Sequence, residues 1–371
     1  MKEKMLKKQN NGDLFILLLT AILVAFGTVM IFSASYYPSV ENGGDPYFFL
    51  RRQLLWVAGG TVAMFICARA DYHFWGKLWI LAPMICFVLL VVVLTSIGSS
   101  AYGATRWIAV GPITIMPGEI AKVGIILFVT GYFSRHPKWA TKFFKGVVPV
   151  VALAGVYGVL IMMQPNMSTA ATVCLIAGGM LIVAGMKASH TGILAVMATA
   201  AAAGYILIDK DGYRYARLTS FFDPFADPLG NGWQVVQSLL ALGTGGLTGL
   251  GLGNSIQKNL YLPMAQNDFI LAIIGEELGF VGVLLLIVVY IILIWRGFHT
   301  AMNAKDYTGM MLASGIMIML GVQVVINIAV VTSSMPPTGI ALPFISYGGN
   351  SLLIFMSGMG IVYNISKTAD I

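Results

Sequence analysis

Ten long apolar segments, separated by mostly short polar connections, dominate this sequence of 371 residues. About 20 apolar residues are needed to cross the ~30 Å hydrocarbon core of a bilayer as a helix. Open strands leave backbone groups unsatisfied in lipid, so we predict a single all-α polytopic membrane domain over residues 1–371. The ten predicted spans are 14–35, 54–68, 78–97, 116–134, 146–163, 167–186, 193–208, 269–295, 308–331 and 344–366.

Composition excludes an ordinary soluble enzyme. The chain is 58% hydrophobic and only 10% charged, whereas a soluble domain carries roughly 25% charged residues. The net charge of +7 is spread singly between apolar segments, which argues against a nucleic-acid partner. Cys67, Cys86 and Cys174 all lie within apolar runs, so we expect neither a disulfide framework nor a metal site.

Basic residues predict the orientation in the membrane. With a cytoplasmic N-terminus, 14 of the 22 Lys and Arg residues fall on the cytoplasmic side, seven fall outside, and Lys122 lies within a span. This distribution follows the positive-inside rule, and ten spans return the C-terminus to the cytoplasm. Ser33-Ala34-Ser35 resembles a signal-peptide cleavage site, but the apolar run from 14 to 32 has the length of a retained helix.

Residues 209–267 form the one long connection, predicted to be an extracytoplasmic loop between spans seven and eight. Long loops in compact proteins are usually functional or disordered. Arg214, Arg217 and Lys258 in this loop are candidate ligands for an anionic headgroup. The glycine-rich run 243–253 follows no predicted strand, so we reject a nucleotide-binding loop.

Charges within or beside the predicted spans are candidate functional residues, because charge is costly in lipid. Glu119 and Lys122 are three residues apart and can pair on one helix face. A structural ion pair and a site that also touches substrate are both open. Glu276 and Glu277 lie deeper in span eight, and we expect them to form hydrogen bonds inside the bundle with polar groups such as Gln323 or Asn327. In this interpretation all four residues are structural.

Asp268 opens the eighth predicted span, and Ala272, Gly275 and Gly279 follow it on nearly the same helix face. A carboxylate beside such small residues indicates a groove open to a lipid chain or to a neighbouring helix. The alternative is an interfacial Asp that caps the helix N-terminus.

Other polar features are predicted on the same side of the membrane. Arg106-Trp107, before the fourth span, is typical of an interfacial anchor, and Pro336-Pro337 forms a rigid turn after the ninth span. These residues together fit either an enzyme acting on a phosphate-bearing lipid or a lipid transporter.

Six stretches resemble motifs of the SEDS family (shape, elongation, division and sporulation). They occur in the expected order along nearly the whole chain: 103–108 (GATRWI), 117–122 (PGEIAK), 164–166 (QPN), 267–270 (NDFI), 275–279 (GEELG) and 336–349. The two prolines at 336 and 337 resemble the division and sporulation branch, which is FtsW-like rather than RodA-like.

The resemblance implies a protein of ten transmembrane helices in the bacterial cytoplasmic membrane, with its active site facing outward. Such proteins polymerise lipid II, the undecaprenyl-pyrophosphate-linked disaccharide-pentapeptide, together with a class B penicillin-binding protein and other division or sporulation membrane proteins. The implied catalytic carboxylate is Asp268, as general base of an inverting transfer. Glu119 and Lys122 match the polar pair of the family, and Arg106 and Trp107 match positions needed for activity.

Several positions depart from the family pattern: Asn166, Met264, Gln266 and Asn267. They argue against a mechanism that needs a second carboxylate or an imidazole in this loop. No cofactor is expected with certainty; a divalent cation at the pyrophosphate is compatible with the sequence, which contains no dedicated metal cage. The alternative functions are a lipid II flippase and a non-enzymatic scaffold of the division machinery.

Overall fold

A computed structural model describes residues 12–101, 104–111, 113–207, 220–230 and 232–369. This part of the chain is mostly helical, and each of the ten predicted apolar segments overlaps a helix. The helices are α1 Leu14–Glu41, α2 Phe48–Arg69, α3 Tyr72–Lys77, α4 Leu81–Val92, α5 Pro117–Arg135, α6 Val148–Met162, α7 Met167–Val183, α8 Ala188–Leu207, α9 Trp233–Gly245, α10 Ile270–Met302, α11 Tyr307–Val331 and α12 Gly349–Ser366.

Four helical stretches in the described residues are long and apolar enough to cross a membrane: Leu14–Glu41, Phe143–Met162, Ile270–Met302 and Tyr307–Val331. The second of them is α6 with the single π-helical turn Phe143–Val147 that precedes it. Leu81–Val92, Met167–Val183 and Ala188–Met197 are shorter apolar helices. The chain is therefore an integral membrane protein built from helices.

A three-stranded antiparallel sheet lies between α4 and α5, where the sequence analysis predicted only a connection. It is formed by β1 Gly98–Ala101, β2 Ala104–Val110 and β3 Ile113–Ile115, in the order β1-β2-β3. Gly98 pairs with Ile108, which pairs in turn with Ile115. The strands are too short and too poor in alternating apolar residues to be found by periodicity, and their edges need access to water or to polar partners.

The predicted long loop contains the helix α9. Its buried residues include Val235, Val236 and Ala241, and Ser238 Oγ donates to Val331 O at 2.8 Å. The helix packs against α10 and also contacts α11. The description of 209–267 as a loop is therefore wrong for this part, because the apolar residues of α9 are buried against neighbouring helices.

The helix α10 is interrupted at Gly279, whose backbone has φ 68° and ψ −171°. Residues of the glycine-rich run supply the hydrogen bonds that the interruption removes from the helix. Leu250 N donates to Glu276 O at 2.9 Å, and Gly251 N donates to Glu277 O at 2.9 Å. In return, Phe280 N donates to Gly246 O at 2.9 Å, so the broken backbone stays satisfied inside the bundle.

Glycine is required at this interruption because the backbones of α10 and of the glycine-rich run approach each other too closely for a side chain. A Cβ atom on Gly279 would overlap Gly249 N, and one on Gly249 would overlap Glu277 O. Gly249 also has φ 80°, a conformation that side chains make costly. The run 243–253 therefore serves as a backbone partner of α10.

A polar cluster joins three elements at α3, outside the membrane-spanning helices. His73 Nδ1 and Nε2 lie 2.7 Å from Asp71 Oδ1 and Asp306 Oδ2, respectively. Burial lowers the pKa of His73, but its bonds to the two carboxylates outweigh this effect and raise the pKa above its ordinary value. Tyr72 donates to Asp306 Oδ1 at 3.1 Å, and burial raises the pKa of Tyr72 to about 12.

Candidate active site

Asp268 lies in the turn directly before α10 and is half-buried. The N-cap of α10 is Phe269, so Asp268 lies one residue before the capping position. Asn327 Nδ2 on α11 donates to Asp268 O at 2.8 Å and to Ile340 O at 2.8 Å. One amide therefore joins the Asp268 turn, α11 and the segment that follows α11.

The segment after α11 closes over the Asp268 carboxylate. A Cβ atom built on Gly339 would lie 3.1 Å from Asp268 Oδ2, so glycine allows the backbone to approach the carboxylate closely. Further along, Tyr347 N donates to Gln266 O at 2.9 Å. The chain turns at residues 332–335, and Pro336 and Pro337 lie in the irregular stretch that follows and leads to Gly339.

Buried oxygen atoms without a hydrogen-bond partner lie on the same elements. They are Asn267 Oδ1 beside Asp268, Asn327 Oδ1 on α11 and Thr338 Oγ1 beside Gly339. Unsatisfied buried polar atoms are costly in a folded protein and are often explained by a ligand or by water. Asn267 adjoins Asp268 in the chain, Asn327 binds its backbone, and Thr338 adjoins Gly339, so the three atoms fit a site that receives a polar ligand.

Glu119 and Lys122 form the predicted ion pair on α5. Lys122 Nζ lies 2.6 Å from Glu119 Oε1 and 2.6 Å from Gln323 Oε1 on α11, and Lys122 is 2% exposed. Glu119 Oε2 is buried without a partner. Gln323 and Asn327 are four residues apart on α11, so this helix holds the ion pair and the Asp268 turn on one face, about 6 Å apart along its axis.

Arg106 and Trp107 lie on β2. Arg106 Nε donates to Gln164 O at 3.3 Å, and Arg106 Nη2 donates to Pro165 O. The side chain thus ties the sheet to the turn between α6 and α7, where Asn166 Oδ1 caps α7 by accepting from Thr169 N at 3.3 Å. Trp107 is half-buried and pairs with Ser99 of β1.

The first turns of α5 and α7 meet near this sheet. A Cβ atom on Gly118 would lie 3.1 Å from Thr169 Cγ2, so the glycine next to Glu119 lets α5 approach α7. At the other edge of the sheet, Asn350 Nδ2 on α12 donates to Thr114 O at 2.7 Å. The sheet therefore anchors the helix ends that surround Glu119.

Lys258 was predicted to bind substrate, and in the structure its ammonium group is engaged in an ion pair while the residue lines one of the cavities described below. The residue is 6% exposed, and its Nζ lies 2.8 Å from Glu277 Oε1, so its charge is already neutralised. A buried ammonium group is stable only with such a partner. Arg214 and Arg217, the other two candidates from the same connection, lie outside the described residues.

Glu276 and Glu277 are fully buried, but the predicted partners are wrong. Glu276 accepts from Ile256 N at 3.0 Å and Gln257 N at 3.2 Å, while Glu277 accepts from Lys258 and Ser33. Gln323 bonds to Lys122 and Asn327 bonds to backbone carbonyls instead. Apart from Ser33 on α1, these partners belong to the long connection, whose position the sequence pattern does not predict.

The groove predicted along Ala272, Gly275 and Gly279 is occupied by a neighbouring helix. A Cβ atom on Gly275 would lie 2.5 Å from Leu242 Cδ2 of α9, and Ala272 is buried. Of the two alternatives, a neighbouring helix rather than a lipid chain covers this face.

Two open cavities flank the segment that leads to Asp268. One, of about 540 Å³, lies between the α1–α2 junction and residues 260–266; its lining includes Phe48, Pro263 and Gln266. The other, of about 710 Å³, lies between α1 and residues 252–259. Both are large enough for part of an amphipathic ligand.

The described residues contain no group of three or more His, Cys, Asp or Glu side chains that could hold a metal ion.

The fold and the site define a multi-spanning membrane protein in which α5, α10 and α11 hold a polar centre around Asp268. A family model described as "cell cycle protein", FTSW_RODA_SPOVE, matches residues 13–371. The chain belongs to this family.

Among similar proteins is the stage V sporulation protein E of Bacillus subtilis (strain 168). It is 40% identical over 364 residues, which cover 98% of this chain and 99% of that protein. The probable peptidoglycan glycosyltransferase FtsW of Geobacter sp. (strain M18) is 38% identical, with 97% and 98% covered. These relatives confirm the division and sporulation branch predicted from the sequence.

Solved structures share the fold. A chain from the structure described as "Structural coordination of polymerization and crosslinking by a peptidoglycan synthase complex" aligns with TM-score 0.79 and 26% identity, covering 96% of this chain and 97% of that chain. The crystal structure of the Thermus thermophilus rod shape determining protein RodA aligns with TM-score 0.70 and 25% identity, covering 97% and 98%.

Proposed function

We propose that this protein is a peptidoglycan glycosyltransferase that polymerises lipid II at the outer face of the cytoplasmic membrane, for cell division or sporulation. Relatives covering almost the whole chain carry the name of this activity. The observation that carries the proposal is the half-buried carboxylate of Asp268, held between α10, α11 and the Gly339 segment beside unpartnered polar atoms.

In this proposal Asp268 is the general base. Its carboxylate takes the proton from the sugar 4-hydroxyl of the acceptor lipid II, and the hydroxyl oxygen attacks the anomeric carbon of the lipid-linked strand. The bond to the pyrophosphate oxygen breaks with inversion, and undecaprenyl pyrophosphate leaves. A positioned base typically contributes about 10²–10⁴-fold to rate.

Positive charge near the leaving pyrophosphate would stabilise the transition state. The candidates are Arg106, Arg214 and Arg217; in addition to contacting substrate, Arg106 holds the turn at Gln164 and Pro165. Trp107 would contact the substrate or the membrane interface beside it. A divalent cation on the pyrophosphate would add Lewis-acid stabilisation. Glu119 and Lys122 support the site through Gln323 on α11.

The proposed topology has ten spans, cytoplasmic termini and an outward-facing site. It rests on the distribution of Lys and Arg residues, 14 of 22 falling on the cytoplasmic side. The proposed partner is a class B penicillin-binding protein, with other division or sporulation membrane proteins. Support comes from the similar chain in a synthase complex that coordinates polymerisation and crosslinking.

The direct test is polymerisation of lipid II by the purified protein with its partner. Asp268→Asn should abolish polymer, because an amide accepts no proton from the attacking hydroxyl. Asp223→Asn is the matched control: this exposed Asp also lies between α8 and α10, and its variant should keep wild-type activity.

Wild-type polymerisation by Asp268→Asn would refute the catalytic assignment. Unpolymerised lipid II that moves across the membrane of a proteoliposome would favour a flippase. A scaffold would neither polymerise nor move lipid II, and its Asp268→Asn variant would support normal growth.

A further inference from the structure

The chain around Asp268 forms a closed loop whose two ends meet inside the protein. The loop leaves its base at Lys258, turns through residues 259–269 and returns along the first part of α10 to Glu277. Asp268 lies ten residues after Lys258 and nine residues before Glu277. The two ends of the loop therefore meet at a point that is distant in sequence from the Asp268 carboxylate.

A buried ion pair forms the first connection at the base. Lys258 Nζ lies 2.8 Å from Glu277 Oε1, and the two residues are 6% and 0% exposed. Ser33 on α1 donates to Glu277 Oε1 at 2.7 Å, and Lys258 Nζ donates to Ser33 Oγ at 3.2 Å. The base of the loop is thus fixed to a third element.

Glu276 forms the second connection. It accepts hydrogen bonds from Ser255 Oγ, from Ile256 N at 3.0 Å and from Gln257 N at 3.2 Å. Thr244 Oγ1 of α9 lies 3.4 Å from Glu276 Oε1. The Glu276 carboxylate, on α10 at the end of the loop, therefore fixes the turn at residues 255–257, which precedes the loop.

The interruption of α10 at Gly279 lies directly below the base. It separates residues 270–278 from the longer part of the helix, so the rigidity of a continuous helix does not extend up to Asp268. The position of Asp268 then depends on the connections made by Glu276 and Glu277, together with the hydrogen bond from Asn327 to the Asp268 carbonyl. A buried ion pair is a weak source of net stability, but it specifies one arrangement of the chain.

We propose that Glu276, Glu277, Lys258 and Ser33 are positioning residues, which close the Asp268 loop at its base and place its carboxylate for catalysis. This inference rests on the function proposed above. Along a helix, Glu277 lies roughly 13 Å from Asp268, so the ion pair acts on the carboxylate through the chain rather than by contact with the reacting atoms. We name the four residues the loop base.

The test compares Glu277→Met, Lys258→Met and the double Lys258→Met/Glu277→Met variant. Each single variant leaves one buried charge without its partner, so both should lower the melting temperature and the turnover. The double variant removes both charges and should recover the melting temperature. Its kcat should stay on the order of 10- to 100-fold below wild type, since displacement of a catalytic group by ~1 Å costs about 10²-fold.

Two further measurements separate positioning from folding. KM for lipid II should change by less than about twofold in the double variant, because the site that binds substrate is intact and its base is displaced. Hydrogen exchange should show faster exchange across residues 259–276. Arg296→Met is the matched control. Arg296 lies on the other part of α10, beyond Gly279, and its Nη2 atom lies 2.8 Å from Asp13 Oδ2. This variant should leave hydrogen exchange in the loop and kcat unchanged.

Recovery of kcat together with the melting temperature in the double variant would overturn the proposal, as would unchanged exchange across 259–276. The activities of wild type and of Asp268→Asn distinguish failure of the loop-base proposal from failure of the proposed function. If wild type polymerises and Asp268→Asn does not, a fully active double variant refutes the loop base alone. If wild type forms no polymer, the proposed function fails, and hydrogen exchange decides whether the loop base holds the Asp268 segment.

Discussion

Gly339→Ala tests how closely the segment after α11 controls the Asp268 carboxylate. The added methyl group would lie 3.1 Å from Asp268 Oδ2, tighter than ordinary van der Waals contact, so one of the two must move by a few tenths of an ångström. Gly339 itself is exposed, and the added methyl group creates no cavity in the core.

The size of the effect follows from this displacement. If ~1 Å costs about 10²-fold in rate, then ~0.3 Å costs about fourfold on a logarithmic scale. We therefore expect kcat for lipid II polymerisation to fall roughly three- to tenfold, with a melting temperature close to wild type. KM should change little, because the methyl group displaces the base rather than a binding group.

The matched control is Gly348→Ala in the same connection. Its added Cβ atom would lie 3.8 Å from Ser351 Cβ, which is an ordinary contact. Initial rates with purified lipid II, normalised to folded protein, measure both variants. Wild-type kcat in Gly339→Ala, or an equal loss in Gly348→Ala, would refute the idea that Gly339 leaves space for the carboxylate.

Three further predictions concern the surrounding fold. Lys122→Met should destabilise the protein by about 3–5 kcal/mol, because it leaves the largely buried carboxylate of Glu119 without its charge partner. Lys122→Met/Glu119→Met should be closer to wild type, and unfolding in detergent compares the two variants. Gly279→Ala should cost at least about 1–2 kcal/mol of unfolding free energy from its positive φ alone, while Gly321→Ala, with only a 3.8 Å contact in α11, should be neutral. His73 has a raised pKa in the folded protein, so its stabilising contribution is complete below the unfolded pKa of ~6.5 and is lost as pH rises through the folded pKa. Melting temperatures measured upward from pH 6 should fall less in His73→Gln than in wild type; equal pH dependence in both would contradict this account.

The helices were largely predictable from hydropathy, whereas their ends were not. The predicted segment 54–68 is too short to span, and the helix begins at Phe48, so Arg51 and Arg52 are among its first five residues. Charged residues at a helix end lower the local hydropathy without preventing the helix from forming. The pattern also missed α9, because its apolar residues are interrupted by the glycines and polar residues of the long connection.

Part of the site was predictable because it depends on local spacing. Glu119 and Lys122 are neighbours on one helix face, and this alone predicts their ion pair. Gln323 is 201 residues away from Lys122, and no spacing rule predicts that it accepts the second hydrogen bond of Lys122. The partners of Glu276 and Glu277 were wrong for the same reason: acidic groups of one helix were matched to amides of another, but the chain returns to them from residues 255–258.

The amino-acid sequence by itself determined that this is a helical membrane protein of the division and sporulation branch, and it determined which carboxylate to test. Hydropathy is a property of a single segment, and motifs are local in sequence, so both can be recognised without coordinates. Only the tertiary structure decided that Lys258 is neutralised, that the glycine run completes a broken helix, and that Gly339 faces Asp268. These contacts join residues distant in the chain, and the burial that makes them favourable exists only once the helices have packed.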